Sequence, residues 1–268
     1  MYNSKNNIIY IPKKNLGQNF LTDKKKIEII INFLNLKKNE NIIEIGPGYG
    51  ALTKKIYEKI NKLFLIEIDK KLFNFLKNIY IKKKHIYIYN YDILKFNFNK
   101  IIKKKTKIIG NLPYNISLKI IENLTKYIYV IDKINIMIQK EIYEKIKAKK
   151  EENKFYGKLS IKIQLNYKIK NITNLINESF TPKPIIKSNF IQLKQKHKLK
   201  NKLINLFHLN NILIQLFNNK RKKINKILSN FFPYKKDLKI KKNTRAENIS
   251  IYKYIKISNE YSIKNEIK

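Results

Sequence analysis

Between residues 24 and 139 the chain alternates short apolar runs with amphipathic stretches of about ten residues, and this alternation restricts the fold more than any other feature. The runs NIIEIG (41–46), KLFLIEID (62–69), HIYIYNYD (85–92), TKIIG (106–110) and KINIMIQ (133–139) read as buried strands. IEIIINFLNL (27–36), ALTKKIYEKI (51–60), KKLFNFLKNIY (70–80) and SLKIIENLTKYI (117–128) carry helical spacing, with Thr22 or Asp23 as the N-cap of the first. A strand that returns parallel to its predecessor needs a crossover, and a ten-residue helix supplies one. The pattern therefore predicts an α/β fold with a doubly wound parallel sheet.

Beyond Glu141 the periodicity is weaker. Helices are expected around 141–150 and 157–165, and strand-like stretches at 167–176 and 189–194 flank FTPKP (180–184). The run KQKHKLKNK (194–202) reads as a charged linker, and the helical spacing after it predicts a small helical domain. The expected division is residues 1–195 and 196–268.

At 268 residues the chain can bury a sizeable core. It has no cysteine and only three scattered histidines, His85, His197 and His208, which leaves no pattern for a metal site. No apolar run approaches the roughly 18–20 residues that span a bilayer, and the first residues lack the apolar core of a secretory signal, so the expected location is cytoplasmic. The formal charge is +40, from 59 basic and 19 acidic residues. A+T-rich codons produce the same excess of Lys, Asn, Ile, Tyr and Phe, but whatever its origin the charge draws polyanions. In such a chain the six glycines are informative, and three of them fall in one stretch, EIGPGYGALT (44–53).

That stretch sits where the first long strand turns into a helix. Glycines there let backbone approach a ligand lying beyond the carboxyl ends of the strands, so Gly46 and Gly48 are expected in a cofactor loop. The spacing lacks the last glycine of the dinucleotide fingerprint. The second strand ends in IEID (66–69), where Glu67 or Asp69 is placed to accept hydrogen bonds from ribose hydroxyls. The third ends in NYDIL (90–94), with Asp92 placed to accept from an adenine amino group. The fourth runs into GNLPY (110–114): Gly110 ends the strand, and Asn111 and the main-chain carbonyl near Leu112 can grip the N–H groups of an exocyclic amine. Pro113 stiffens the loop and Tyr114 offers a face for a flipped base. An adenine amine is a poor nucleophile because its lone pair is delocalised into the ring, and such acceptors direct that pair toward a methyl sulfonium.

The motifs LGQNFL (16–21), EIGPGYGALT, IEID, NYDIL, GNLPYNIS (110–117), QKEIYEKI (139–146), YGKLSI (156–161), FTPKP, FNNKRKK (217–223) and RAENIS (245–250) together resemble the KsgA (RsmA) family of small-subunit ribosomal RNA adenine dimethyltransferases. The resemblance covers nearly the whole chain. It implies a Rossmann-like S-adenosylmethionine-dependent methyltransferase sheet with a small helical C-terminal domain. It further implies S-adenosylmethionine held by Asn19, Leu21, Gly46, Glu67, Asp92 and Asn111, with Glu67 on the ribose and Ile93 packed beside the adenine. The target adenine would meet Asn111 and Tyr114, with Phe180 as a second aromatic. Lys220, Arg221, Lys222 and Lys223 would lie on a helix suited to RNA phosphates.

The implied substrate is two adjacent adenosines near the 3′ end of small-subunit rRNA in an immature subunit, approached by a monomer that also serves ribosome biogenesis. The family's first loop usually carries one fewer glycine, with another small residue at Gly50. Two other readings fit the fold: an rRNA methylase of the large subunit, and a non-catalytic RNA- or DNA-binding factor.

Overall fold

The computed structural model describes residues 12–13, 16–102, 105–150, 154–196, 205–219, 222–228, 240–241 and 243–266. In chain order the elements are β1 (Phe20–Leu21), α1 (Lys24–Leu34), β2 (Asn41–Ile45), α2 (Thr53–Ile56), β3 (Lys62–Glu67), α3 (Lys70–Tyr80), β4 (Ile86–Asn90), β5 (Thr106–Asn111), α4 (Ser117–Thr125) and β6 (Ile131–Gln139). They continue with α5 (Lys140–Lys147), α6 (Lys158–Asn166), β7 (Tyr167–Leu175), β8 (Phe180–Thr181), β9 (Ser188–Gln195), α7 (Leu206–Asn218), α8 (Ile224–Leu228) and α9 (Ile251–Glu266).

Contacts divide the chain into two compact units. One is Met1–Lys140 with Lys170–Lys194, and the other is Glu141–Ile169 with Gln195–Lys268. This differs from a single boundary at 195. The reason is apolar: Ala148, Tyr156, Ile161 and Leu165 are buried in one core with Leu209, Leu213 and Leu216 of α7 and with Tyr254 and Ile257 of α9. Two buried phenols close that core on backbone carbonyls, Tyr156 on Ile249 and Tyr254 on Ala246, at 2.9 and 2.8 Å.

The first unit is built on a seven-stranded sheet of order β4-β3-β2-β5-β6-β9-β7. From β4 to β6 the pairs are parallel, while β9 runs antiparallel to β6. Strands β2 and β5 carry side chains buried on both faces, as expected for parallel strands covered by helices on each side, whereas edge strand β4 is only half covered. Helix α1 buries Ile27, Ile30, Ile31 and Leu34, a stripe at i, i+3, i+4 and i+7. Each such side chain stabilises by roughly 1.5–3 kcal/mol. Asp23, rather than Thr22, caps α1, accepting from the Lys26 N–H at 3.1 Å.

The expected helix over 51–60 is shorter, with α2 passing into a 3₁₀ turn at Tyr57–Lys59. Its continuation is blocked because the Asn61 N–H donates to Glu40 O at 2.8 Å and a His85 ring nitrogen takes the Tyr57 carbonyl. Strands β1 and β8 form a separate antiparallel pair, with Leu21 opposite Phe180. Among the described residues no helix is long and apolar enough to cross a membrane, and no group of three or more His, Asp or Glu could hold a metal.

Candidate active site

Strand order reverses at β2: β3 and β4 lie on one side, β5 and β6 on the other. Ligands of open α/β sheets bind at such a switch point, beyond the carboxyl ends of the strands. The register brings those ends level, with Ile45 beside Ile66 on one side and Gly110 on the other, and Glu67 beside Asn90. A cleft opens there, lined among others by Asn19, Gly46, Gly48, Glu67, Asp92, Ile93 and Asn111–Tyr114.

The loop after β2 holds Gly46, Gly48 and Gly50 at φ of 62°, 58° and 75°, left-handed values that side chains resist. Gly48 is also a point of close approach, since a Cβ there would lie 2.8 Å from the Phe20 ring. Gly46 lines the cleft, and a Cβ on it would meet nothing closer than the Asn111 carbonyl at 3.6 Å. That opening is what a nucleoside cofactor lying over the loop requires.

Glu67, the last residue of β3, is 4% exposed. One carboxylate oxygen accepts the Gly48 N–H at 3.1 Å and the other the Asp69 N–H at 3.0 Å. Burial pushes the Glu67 carboxyl above its ordinary value, and these N–H groups pull it partly back. Asp69 does not line the cleft. It caps α3 through the Lys71 and Leu72 N–H groups and pairs with Lys13 Nζ at 2.8 Å. The sequence offered both carboxylates for the ribose, and the fold presents Glu67 to the cleft while Asp69 ties down the N-terminal segment. In the loop after β4, Asp92 lines the cleft and fixes its own turn by accepting the Leu94 N–H at 2.9 Å.

Asn111 is the final residue of β5, and Gly110 lies inside the strand rather than ending it. A Cβ at Gly110 would fall 2.5 Å from the Ile45 carbonyl oxygen, so close strand approach explains this glycine. The Asn111 Nδ2 donates to the Asn19 carbonyl at 2.5 Å. A carbonyl only accepts, so one N–H of the amide is taken by it and Oδ1 is left as the atom that can accept from a ligand. The Tyr114 hydroxyl lies 2.5 Å from Ser188 Oγ, and Ser117 Oγ donates to the Tyr114 carbonyl at 3.2 Å, which fixes the ring. Burial raises the Tyr114 phenol and the Ser188 contact offsets part of that rise.

Beneath the glycine loop, Glu44 is 2% exposed and accepts from Thr53 Oγ1 at 2.6 Å. Burial pushes its carboxyl up to about 7, with the Thr53 bond opposing and the Glu67 charge adding.

Two expected site residues lie elsewhere. Phe180 is 1% exposed in the pair with Leu21 and belongs to the core, because the β1–β8 pairing turns it inward. Leu21 lines a smaller cavity under the loop with Glu44 and Met137 instead of the main cleft. The basic helix is also different. Lys220 and Arg221 lie outside the described residues, and Lys222 and Lys223 sit exposed in the turn before α8, where the Lys222 N–H closes on Asn219 O at 2.8 Å. The N-terminal arm before Asn15 lies outside them too, apart from Pro12 and Lys13.

Composition and spacing gave no signal for Ser188, Phe20 or Lys13, each of which reaches its partner across a long stretch of chain.

Known proteins resemble this chain in sequence and in fold. A family model described as ribosomal RNA adenine dimethylase matches residues 11–263. A protein of Buchnera aphidicola subsp. Acyrthosiphon pisum named ribosomal RNA small subunit methyltransferase A is 40% identical over 254 residues, covering 93% of each chain. A protein of the same name from Blochmanniella floridana is 39% identical, over 95% of this chain and 94% of the other. Among solved structures, a dimethyladenosine transferase from Plasmodium falciparum superposes with a TM-score of 0.77 at 23% identity, covering 92% of this chain and 98% of that one. The 23S rRNA methyltransferase ErmE gives 0.69 at 19% identity, over 91% of this chain and 100% of its own. At those identities the two structures establish the fold, a Rossmann-like methyltransferase sheet.

Proposed function

The chain belongs to the ribosomal RNA adenine dimethylase family and is a methyltransferase, and we propose that it dimethylates the N6 atoms of two adjacent adenosines near the 3′ end of small-subunit rRNA, using S-adenosylmethionine. The observation that carries the reading is the meeting of Gly46, Glu67, Asp92 and Asn111–Tyr114 in one cleft at the switch point of the sheet. The relatives at 39 and 40% identity carry small-subunit names, which favours that particle over the large one.

S-adenosylmethionine, when bound, supplies an electrophilic methyl group on a sulfonium. Glu67 holds the ribose hydroxyls, Asp92 accepts from the adenine amino group, Ile93 packs beside that ring, and the Gly46–Gly48 turn lets backbone approach. Asn19 completes the wall from the N-terminal segment. On the substrate side, Asn111 Oδ1 accepts one N–H of the target amine and the Leu112 carbonyl the other, which turns the lone pair toward the methyl group. The Asn111 amide is already oriented by the Asn19 carbonyl, so little reorganisation accompanies base entry. Pro113 stiffens the loop and the Tyr114 ring stacks on the extruded base. No strong base is required, because the amine acidifies as its bond to carbon forms and its proton passes to solvent.

We assign the cofactor and the reaction to the first unit, residues 1–140 with 170–194, in place of the expected 1–195. RNA phosphate contact falls to the helical 196–268 region through Lys220, Arg221, Lys222 and Lys223. The particle is an immature small subunit in the cytoplasm, the enzyme acts as a monomer, and modification is one step of ribosome biogenesis. Purified small subunits lacking the modification test the site. Asn111→Ala and Tyr114→Ala each abolish methyl incorporation while leaving the circular dichroism spectrum unchanged, and full activity of both variants would remove the site from consideration.

A further inference from the structure

Outside the cleft runs a second concavity of about 540 Å³, formed in part by Asn19, Tyr114, Gln139, Pro182, Ile185 and Ile186. It is continuous with the cleft, because Gly17, Gln18, Asn19 and Tyr114 line both. Its outer wall is the loop between β8 and β9, where Ile185 is 97% and Ile186 42% exposed. A single exposed aliphatic residue is ordinary. This one is held in place: Asn177 Nδ2 donates to the Ile185 carbonyl at 3.2 Å, and the Lys140 N–H closes on Lys187 O at 2.9 Å. Lys183, in the same loop, is exposed and lies 3.9 Å from Glu178, too far for a tight pair.

We propose that this groove is a subsite for the nucleotide next to the target adenosine on the same strand, with Ile185 as the apolar wedge that keeps the neighbouring base off the extruded one. The inference rests on the proposed RNA methylation. Three observations choose the occupant. A base drawn to Asn111 carries its neighbour on the strand to the rim of the cleft, and the groove opens at that rim, across Tyr114. The volume exceeds that of a lone base and lies within the range that takes small ligands. The lining pairs bare aliphatic surface with the Gln139 amide and a lysine. Proteins that extrude or unstack bases use such apolar wedges, and those that hold single strands combine stacking surface with cationic phosphate contacts.

A photocrosslinker at position 185 tests the assignment directly. The chain carrying Ile185→p-benzoylphenylalanine is irradiated with unmodified small subunits and the crosslinked nucleotide is mapped. The same substitution at Ile81, which is 71% exposed on another part of the surface, gives the background. The groove predicts a crosslink on the nucleotide immediately flanking a methylated adenosine. A crosslink only to distant RNA, one only to a ribosomal protein, or none above the Ile81 background overturns it.

A second variant needs no bulky probe. Ile185→Asp is expected to raise the KM for small subunits by about ten-fold, in line with the lost burial of one aliphatic side chain against a base, while S-adenosylmethionine affinity is unchanged. An unaltered KM overturns the subsite. Failure of the wild-type chain to methylate small subunits at all is a different result, and it overturns the activity on which the subsite rests.

Discussion

Gly110→Ala isolates the reason that strand β5 carries a glycine one residue before Asn111. Gly110 is not held at positive φ, so an alanine costs nothing in backbone conformation. The added methyl would instead lie 2.5 Å from the Ile45 carbonyl oxygen and 3.3 Å from the Ile45 carbonyl carbon. That oxygen is main chain of a central strand and cannot rotate away. Relief requires β2 and β5 to part by about half an ångström at the end of their ladder, in a close-packed interior. Overpacking of this kind costs about 1–3 kcal/mol, and the rigid opposing atom puts this case near 3. A domain of this size loses roughly 2–4 °C per kcal/mol, so the melting temperature should fall by about 6–12 °C.

Asn111 moves with the strand, and since a 1 Å misplacement near a reacting centre costs about a hundred-fold in rate, the half-ångström shift should cost about ten-fold. Differential scanning calorimetry and methyl incorporation read the two effects. Gly46→Ala is the matched control: its φ of 62° carries left-handed strain of about 1–2 kcal/mol, while its new methyl meets nothing closer than 3.6 Å. Gly110→Ala should therefore be the less stable of the two. A Gly110→Ala protein that melts with the wild type, or above Gly46→Ala, refutes the close-approach argument.

Glu67→Ala should weaken S-adenosylmethionine binding by about a hundred-fold in calorimetry, the loss of two hydrogen bonds to a charged acceptor, and retention within three-fold contradicts its role. Ser188→Ala frees the Tyr114 hydroxyl and should lower kcat about five- to ten-fold with cofactor affinity unchanged. Ser188→Thr restores the hydroxyl and should restore the rate, and failure of that rescue would point to packing instead.

Glu44 tests the electrostatics. The folded protein holds its proton more tightly than the unfolded chain, so stability is lost as pH rises from the ordinary carboxylate value of 4.5 through about 7. The loss amounts to about 3 kcal/mol, and Glu44→Gln removes it. The wild type should therefore lose stability relative to Glu44→Gln between pH 5 and pH 8 in urea titrations, and parallel curves would contradict the assignment.

Much of the sheet was legible because each strand is a continuous apolar run between helices with a clear stripe. The span of α3 agrees with the sequence at both ends, since Asp69 caps it and Leu72, Leu76 and Tyr80 repeat on one face. Residues that end neighbouring strands were legible for the same reason: Gly46, Glu67, Asp92 and Asn111 each follow an apolar run. The resemblance added Asn19, which also reaches the cleft, and Phe180, which does not. Strands β1 and β8 contribute two residues each and lie about 160 positions apart, so no periodicity announces that Phe180 turns inward.

The grouping of residues 141–169 with the C-terminal helices was hidden for a related reason, since Tyr156 and Ile161 find their partners only after the chain returns through β7 and β9. Glu67 and Asp69 differ in the direction of their side chains, one toward the cleft and one onto the end of a helix and Lys13, which no sequence pattern announces.

Mass mapping of methylated adenosines in small-subunit rRNA reads the proposed reaction at its product. Unmodified small subunits are incubated with S-adenosylmethionine and either the wild-type chain or Asn111→Ala, and the rRNA is digested and sequenced by mass. Two adjacent adenosines near the 3′ end should each gain two methyl groups with the wild type and none with Asn111→Ala. Methylation at another base, methylation confined to large-subunit RNA, or equal methylation by the variant would contradict it.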